Sequence, residues 1–184
     1  PVEGLGEVSY HVLRTLEDAL RLRSAVEQNS SAIVLGAGLI GMHAAENLAR
    51  GGVQVTVVEA LPHVLPGYFD DQAAGLIQQV VTKEGIRIIT GRTVKLVSVN
   101  GGAFVASLDS GEELSSDLFL VSTGVQPRIG YLSWSGMELD RGILVDERMQ
   151  TSAGGIWAAG DVAQAHGFFD SEKRLNATLP DAVE

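Results

Sequence analysis

Four apolar residues, Ala32-Ile33-Val34-Leu35, run without a break into Gly36-Ala37-Gly38-Leu39-Ile40-Gly41, and a helix-spaced pattern follows from Ile40 to Arg50. A short apolar run bounded by glycine predicts a strand buried on both faces of a parallel sheet. The next β-rich stretch, which alternates from Val53 to Glu59, closes a strand–turn–helix–strand unit with an acidic residue at its end. Each part of this G-x-G-x-x-G pattern has a physical task if the unit holds a dinucleotide. Gly36 permits the sharp turn, Gly38 lets a pyrophosphate approach the backbone, and Gly41 lets the helix pack closely on the sheet. The backbone of Leu39 and Ile40 opens the helix, whose first N–H groups and partial positive charge suit phosphate. Glu59 would accept hydrogen bonds from the adenosine ribose. The competing reading is a glycine turn that binds nothing; strand, helix and acidic residue together favour the cofactor. A carboxylate at this place repels a 2′-phosphate, and no Lys or Arg lies between Gly51 and Asp70. NADH is therefore expected over NADPH.

Around this unit the pattern predicts further elements. Val12–Val26 reads as an amphipathic helix and residues 1–10 as a connecting segment. Gly51-Gly52 closes the second helix, Asp70 caps a third that runs to Lys83, and Ile86–Ile89 is another strand. Arg92–Val99, Ala103–Leu108 and a short piece near Glu113 are split by Asn100-Gly101-Gly102 and Ser110-Gly111, which signal hairpins. Asp117–Ser122 returns as a core strand. Residues 125–142 are looser, then Ile143–Val145 and Ile156-Trp157-Ala158 read as strands. Beyond Gly160 the chain reads as loop, with a helix beginning near Pro180. The expected fold is α/β: a Rossmann-like three-layer domain with a parallel sheet and an inserted antiparallel β-meander.

Composition narrows the function classes. A net charge of −10 argues against nucleic-acid binding. No apolar run is long enough to span a bilayer, and the first residues given do not read as a basic-then-apolar signal segment. Cysteine is absent, so this stretch supplies no disulfide, thiol or Cys-ligated metal. The default expectation is cytoplasmic. The start at Pro1 fits a segment of a longer polypeptide.

Three further stretches carry a resemblance. Val121-Ser122-Thr123-Gly124-Val125-Gln126-Pro127 resembles the A-T-G-x-x-P stretch of the pyridine nucleotide-disulfide oxidoreductases. Thr151-Ser152-Ala153-Gly154-Gly155-Ile156-Trp157-Ala158-Ala159-Gly160-Asp161 resembles their second FAD motif. The opening, through Leu16, Asp18 and Ala19, is similar to their crossover between domains. The resemblance points to the NADH oxidase, CoA-disulfide reductase and ferredoxin-reductase-like members. The resemblance implies that Gly36, Gly38 and Gly41 hold the NAD pyrophosphate and Glu59 the ribose. It sets Gly124 beside the nicotinamide half, and Gly160 and Asp161 against the ribityl chain of FAD.

It also implies domains: a crossover and helix at 1–30, an NAD(H)-binding domain at 31–146, and part of an FAD-binding domain at 147–184. The partners would be the remaining FAD and C-terminal domains of the same chain, and a homodimer is compatible. The parent would pass a hydride from NADH to FAD and on to an unidentified acceptor, and this chain alone would be inactive. A non-catalytic NAD(H)-sensing module is the alternative, and a second G-x-G-x-x-G upstream would decide against it.

Two residues depart from the family pattern. Leu39 stands where many members carry an aromatic gate, and leucine cannot stack on a flavin. His43 stands where many carry Glu. No catalytic side chain and no metal ligand is assigned. His11, His63 and His166 lack metal-ligand spacing and read as solvated surface residues. Asp70-Asp71 reads as helix capping, and Phe168-Phe169 and Trp134 as core or as contacts to a further domain.

Overall fold

The computed structural model describes residues 2–167 and 173–175. It divides into two compact units at Gly124/Val125. In chain order the first unit contains α1 (Leu16–Val26), β1 (Ser31–Leu35), α2 (Leu39–Arg50), β2 (Gln54–Val58), α3 (Asp71–Lys83) and β3 (Arg87–Ile89). Then come β4 (Val94–Asn100), β5 (Ala103–Leu108), β6 (Glu113–Ser116) and β7 (Leu118–Val121).

Four strands form a parallel sheet in the order β3-β2-β1-β7, with Val34 opposite both Val57 and Leu120. Alternation sends side chains to two faces. Ala32, Val34, Val55, Val57, Leu118 and Leu120 pack against all three helices. Ile33, Leu35, Val58 and Phe119 pack against the antiparallel sheet β4-β5-β6. Phe104 of β5 stacks on Phe119 of β7 with ring centroids 5.8 Å apart. The layers are therefore helices, parallel sheet and meander, the α/β three-layer fold that the sequence predicts.

Local chemistry sets the helix ends. The helix expected from Val12 begins only at Leu16, because Thr15 and Asp18 form a capping box: the Asp18 N–H donates to Thr15 Oγ1 at 3.1 Å, and the Thr15 N–H to Asp18 Oδ2 at 3.0 Å. Asp70 caps α3 as expected, accepting from the Ala73 N–H at 2.8 Å. At the opposite end of the sheet from the glycine turn, Asp117 Oδ2 accepts from the N–H and hydroxyl of both Ser30 and Ser31. These bonds tie the start of β7 to the start of β1 and hold the Asp117 carboxyl below its usual pKa.

The opening segment is more than a connection. Glu3 pairs with Leu96 and His11 with Leu120, both in parallel, while Val2, Leu5 and Val8 pack on the meander-side core. His11 is half-buried rather than solvated, and burial lowers its pKa.

In the second unit, β8 (Ile143–Leu144) runs parallel to β9 (Ala163–His166), and β10 (Lys173–Leu175) pairs antiparallel with β9. The loop expected beyond Gly160 thus contains two strands. Gln164 is buried, its Oε1 accepting from the Gly142 N–H and its Nε2 donating to Asp140. The strand expected at Ile156-Trp157-Ala158 is absent. Ile156 and Trp157 are largely exposed and only an isolated bridge joins Trp157 to Gln150. Thr151 turns this segment back instead: its N–H donates to the Ile156 carbonyl at 2.9 Å. Trp134 is 96% exposed and belongs to no core here. The division at Gly124 also differs from the expected boundaries, since residues 1–30 join the first unit and residues 125–146 the second. Phe168-Phe169 and the helix expected near Pro180 lie outside the described residues.

Candidate functional site

The glycine turn lies at the carboxyl ends of β1 and β7, where the connection from β1 leaves toward β2 while β7 flanks its other side. Open parallel sheets take ligands at such a switch point. The Ser122 N–H donates to the Leu35 carbonyl at 2.8 Å, and the Gly36 N–H to Val58 at 2.8 Å, so the turn is held to the strands on both sides.

The three glycines divide into two kinds. Gly36 has φ +104°, and a Cβ there would lie 2.6 Å from the Ser122 carbonyl oxygen. A Cβ on Gly41 would overlap the Gly36 carbonyl oxygen and lie 2.6 Å from Ser122 Oγ. The fold itself therefore requires glycine at both positions. Gly38 is different. Its φ of −74° and ψ of −176° suit any residue, and an added Cβ would meet nothing within 4 Å. It is the N-cap of α2, where Ser, Thr or Asp would stabilise the helix, yet no side chain caps it. No side chain therefore occupies the place of a cap for the first-turn N–H groups.

Glu59 is 8% exposed and follows β2 directly. Its Oε2 accepts from the Ala37 N–H at 2.7 Å and its Oε1 from the Leu61 N–H at 2.9 Å. The carboxylate thus clasps the glycine turn to the loop after β2, and the Leu65 N–H adds a bond to the Ala37 carbonyl at 2.8 Å. Each Glu59 oxygen keeps lone-pair capacity for a further donor. Gly124, with φ +103° and nothing within 4 Å of an added Cβ, follows the end of β7 at the same sheet edge.

Not every candidate lies at that edge. Leu39 is half-buried and packs on the helix-side core. Ile40 is 49% exposed and, with His43 and Asn47, lines a mostly apolar cleft of about 560 Å³ between α1 and α2. His63 is held by the Val64 carbonyl at 2.9 Å and lies 3.4 Å from Asp71. Gly160 and Asp161 belong to the second unit: Gly160 has φ +78°, its carbonyl accepts from Ala163 at 2.9 Å, and Asp161 is exposed.

Sequence reasoning missed two residues, Ser122 and Arg92, and a second task of Glu59. Ser122 Oγ lies 3.1 Å from the carbonyl oxygens of both Leu35 and Gly36, bracing the turn. Glu59 has a structural task that its position alone did not signal. Arg92 comes beside Glu59 only through the pairing of β2 with β3. Among the described residues no cluster fits a metal ion, and no helix is long and apolar enough to cross a membrane.

The sequence profile of the pyridine nucleotide-disulphide oxidoreductases matches residues 1–182. The chain belongs to that family. Among relatives of this pyridine nucleotide-disulphide oxidoreductase, the epsilon subunit of an NADH-dependent phenylglyoxylate dehydrogenase from Aromatoleum evansii is 52% identical over all 184 residues, which cover 43% of its length. A rubredoxin-NAD(+) reductase from Ectopseudomonas oleovorans is 35% identical over 93% of the chain and 45% of the reductase. An FAD-dependent pyridine nucleotide-disulphide oxidoreductase from Desulfovibrio vulgaris superposes with a TM-score of 0.85 at 28% identity, over 99% of the chain and 47% of that structure. The chain spans less than half the length of each.

Proposed function

We propose that this oxidoreductase chain is the NADH-binding part of an FAD-dependent enzyme. The observation that carries the reading is Gly38: neither its backbone angles nor its neighbours require glycine, and a better helix cap is forgone. Uncapped first-turn N–H groups and open space at Gly38 suit a pyrophosphate. Glu59 accepts the ribose hydroxyls with its remaining lone pairs, and Gly124 leaves room beside the nicotinamide half. Gly160 and Asp161 serve the ribityl chain of FAD, whose other contacts come from elsewhere in the polypeptide. When bound, the nicotinamide supplies a hydride and the flavin accepts it. No acid, base or nucleophile of this chain is needed for that transfer; its residues bind and orient.

Related proteins named for NADH and FAD support the cofactor pair, and their differing names leave the electron acceptor to the rest of the polypeptide. Calorimetric titration tests the reading. NADH is expected to bind more tightly than NADPH. Equal or tighter NADPH binding would overturn the specificity, and no binding of either would overturn the site.

A further inference from the structure

The expected preference for NADH rests on a carboxylate with no base nearby in sequence. Space changes that count. The Glu59 N–H donates to the Ile89 carbonyl at 2.8 Å, the Arg92 N–H to the Glu59 carbonyl at 3.1 Å, and the Gly91 N–H to the Leu61 carbonyl at 2.9 Å. These bonds continue the pairing of β2 with β3 past the strand ends and fix the Arg92 backbone one hydrogen bond from Glu59. The Arg92 side chain is exposed, and among the described residues its guanidinium makes one hydrogen bond, from Nη1 to the carbonyl of the adjacent Gly91 at 3.3 Å. Among the described residues no carboxylate pairs with it. Arg87, the first residue of β3, is by contrast committed to Glu112 at 2.6 Å. His63, the other basic group of the region, is engaged by Asp71 and the Val64 carbonyl.

We propose that Arg92 is a specificity-determining residue of this site, the cation available to a 2′-phosphate on the adenosine ribose, so that the discrimination set by Glu59 is partial. The inference rests on the dinucleotide reading of the glycine turn. The chemistry is ordinary: a guanidinium on a long stem binds phosphate by charge-assisted, bidentate hydrogen bonds, and its charge offsets a neighbouring carboxylate. Both Glu59 oxygens already accept a backbone N–H, which spreads its charge and weakens the repulsion it can exert. NADH lacks the 2′-phosphate that the guanidinium would grip, whereas NADPH carries it.

The test is a pair of titrations, NADH and NADPH, on the full polypeptide with its flavin and on the Arg92→Ala and Arg87→Ala variants. The Kd ratio of NADPH to NADH should rise about tenfold in Arg92→Ala, the loss expected of one charge-assisted contact. Arg87→Ala, which removes a cation outside the site, should leave the ratio where it was. Raising the salt concentration should also raise the ratio in the parent and have little effect in Arg92→Ala, because exposed charges are screened. An unchanged ratio in Arg92→Ala overturns the proposal. So does an equal loss for both nucleotides, which would make Arg92 a contact to their shared adenine. If neither nucleotide binds the parent, the dinucleotide reading itself falls and this proposal with it.

Discussion

Single positions in the glycine turn separate fold from function. Gly38→Val places a branched side chain in open space above the α2 N-terminus, with backbone angles that valine adopts freely. It should abolish NADH binding while changing the melting temperature little. Circular dichroism and calorimetry on one preparation read both effects, and a variant that binds like the parent would reduce the turn to a structural device. Gly41→Ala should behave in the opposite way. Its Cβ meets the Gly36 carbonyl and Ser122 Oγ, so the helix must move off the strand, at about 1–3 kcal/mol. Denaturant unfolding measures that cost, and an unshifted midpoint would contradict the packing described. Glu59→Gln tests the clasp. The amide replaces one acceptor by a donor that faces a backbone N–H, and the unmade bond should cost about 1–3 kcal/mol besides weakening NADH binding.

Elements differ in how plainly the sequence announces them. β1 and β7 are buried on both faces and read as apolar runs, β2 alternates before its buried Val57-Val58, and the helices between them carry clear start and stop residues. The hairpins follow from Asn-Gly and Ser-Gly. β9 was not legible, because Ala-Gln-Ala-His has no strand-like pattern and is held by pairing with Ile143 and by buried Gln164. Ile156-Trp157-Ala158 misled for the reverse reason: apolar residues occupy a turn that Thr151 closes and that remains exposed. Arg92 escaped because proximity across paired strand ends leaves no local trace.

The anchor between β1 and β7 gives a pH-dependent prediction. The hydrogen bonds from Ser31 and Ser30 lower the pKa of Asp117 in the fold, so its contribution is fully present above the unfolded carboxylate value and is lost as pH falls through the lower folded value. Asp117→Asn keeps the shape and removes the charge. Its melting temperature should lie below the parent's near neutral pH, and the gap should close in acid; a gap constant with pH would count against the anchor.

At the scale of the whole molecule, two sheets share one core through Phe104 and Phe119, the latter fully buried. Phe119→Ala should cost about 3–5 kcal/mol. Loss of one cooperative unfolding transition, rather than of a separate meander transition, would show that the layers fold together.

The opening residues govern how the molecule behaves in company. β7 and β4 are outermost strands of their sheets, each with an edge that no further strand of its sheet pairs. His11 covers one edge and Glu3 the other, with Val2, Leu5 and Val8 seated beneath. One short stretch therefore acts as a selvage for both sheets, keeping two templates for strand addition from meeting their like in a neighbouring molecule. Proteolytic trimming there should leave the glycine turn intact and yet bare both edges to strand addition.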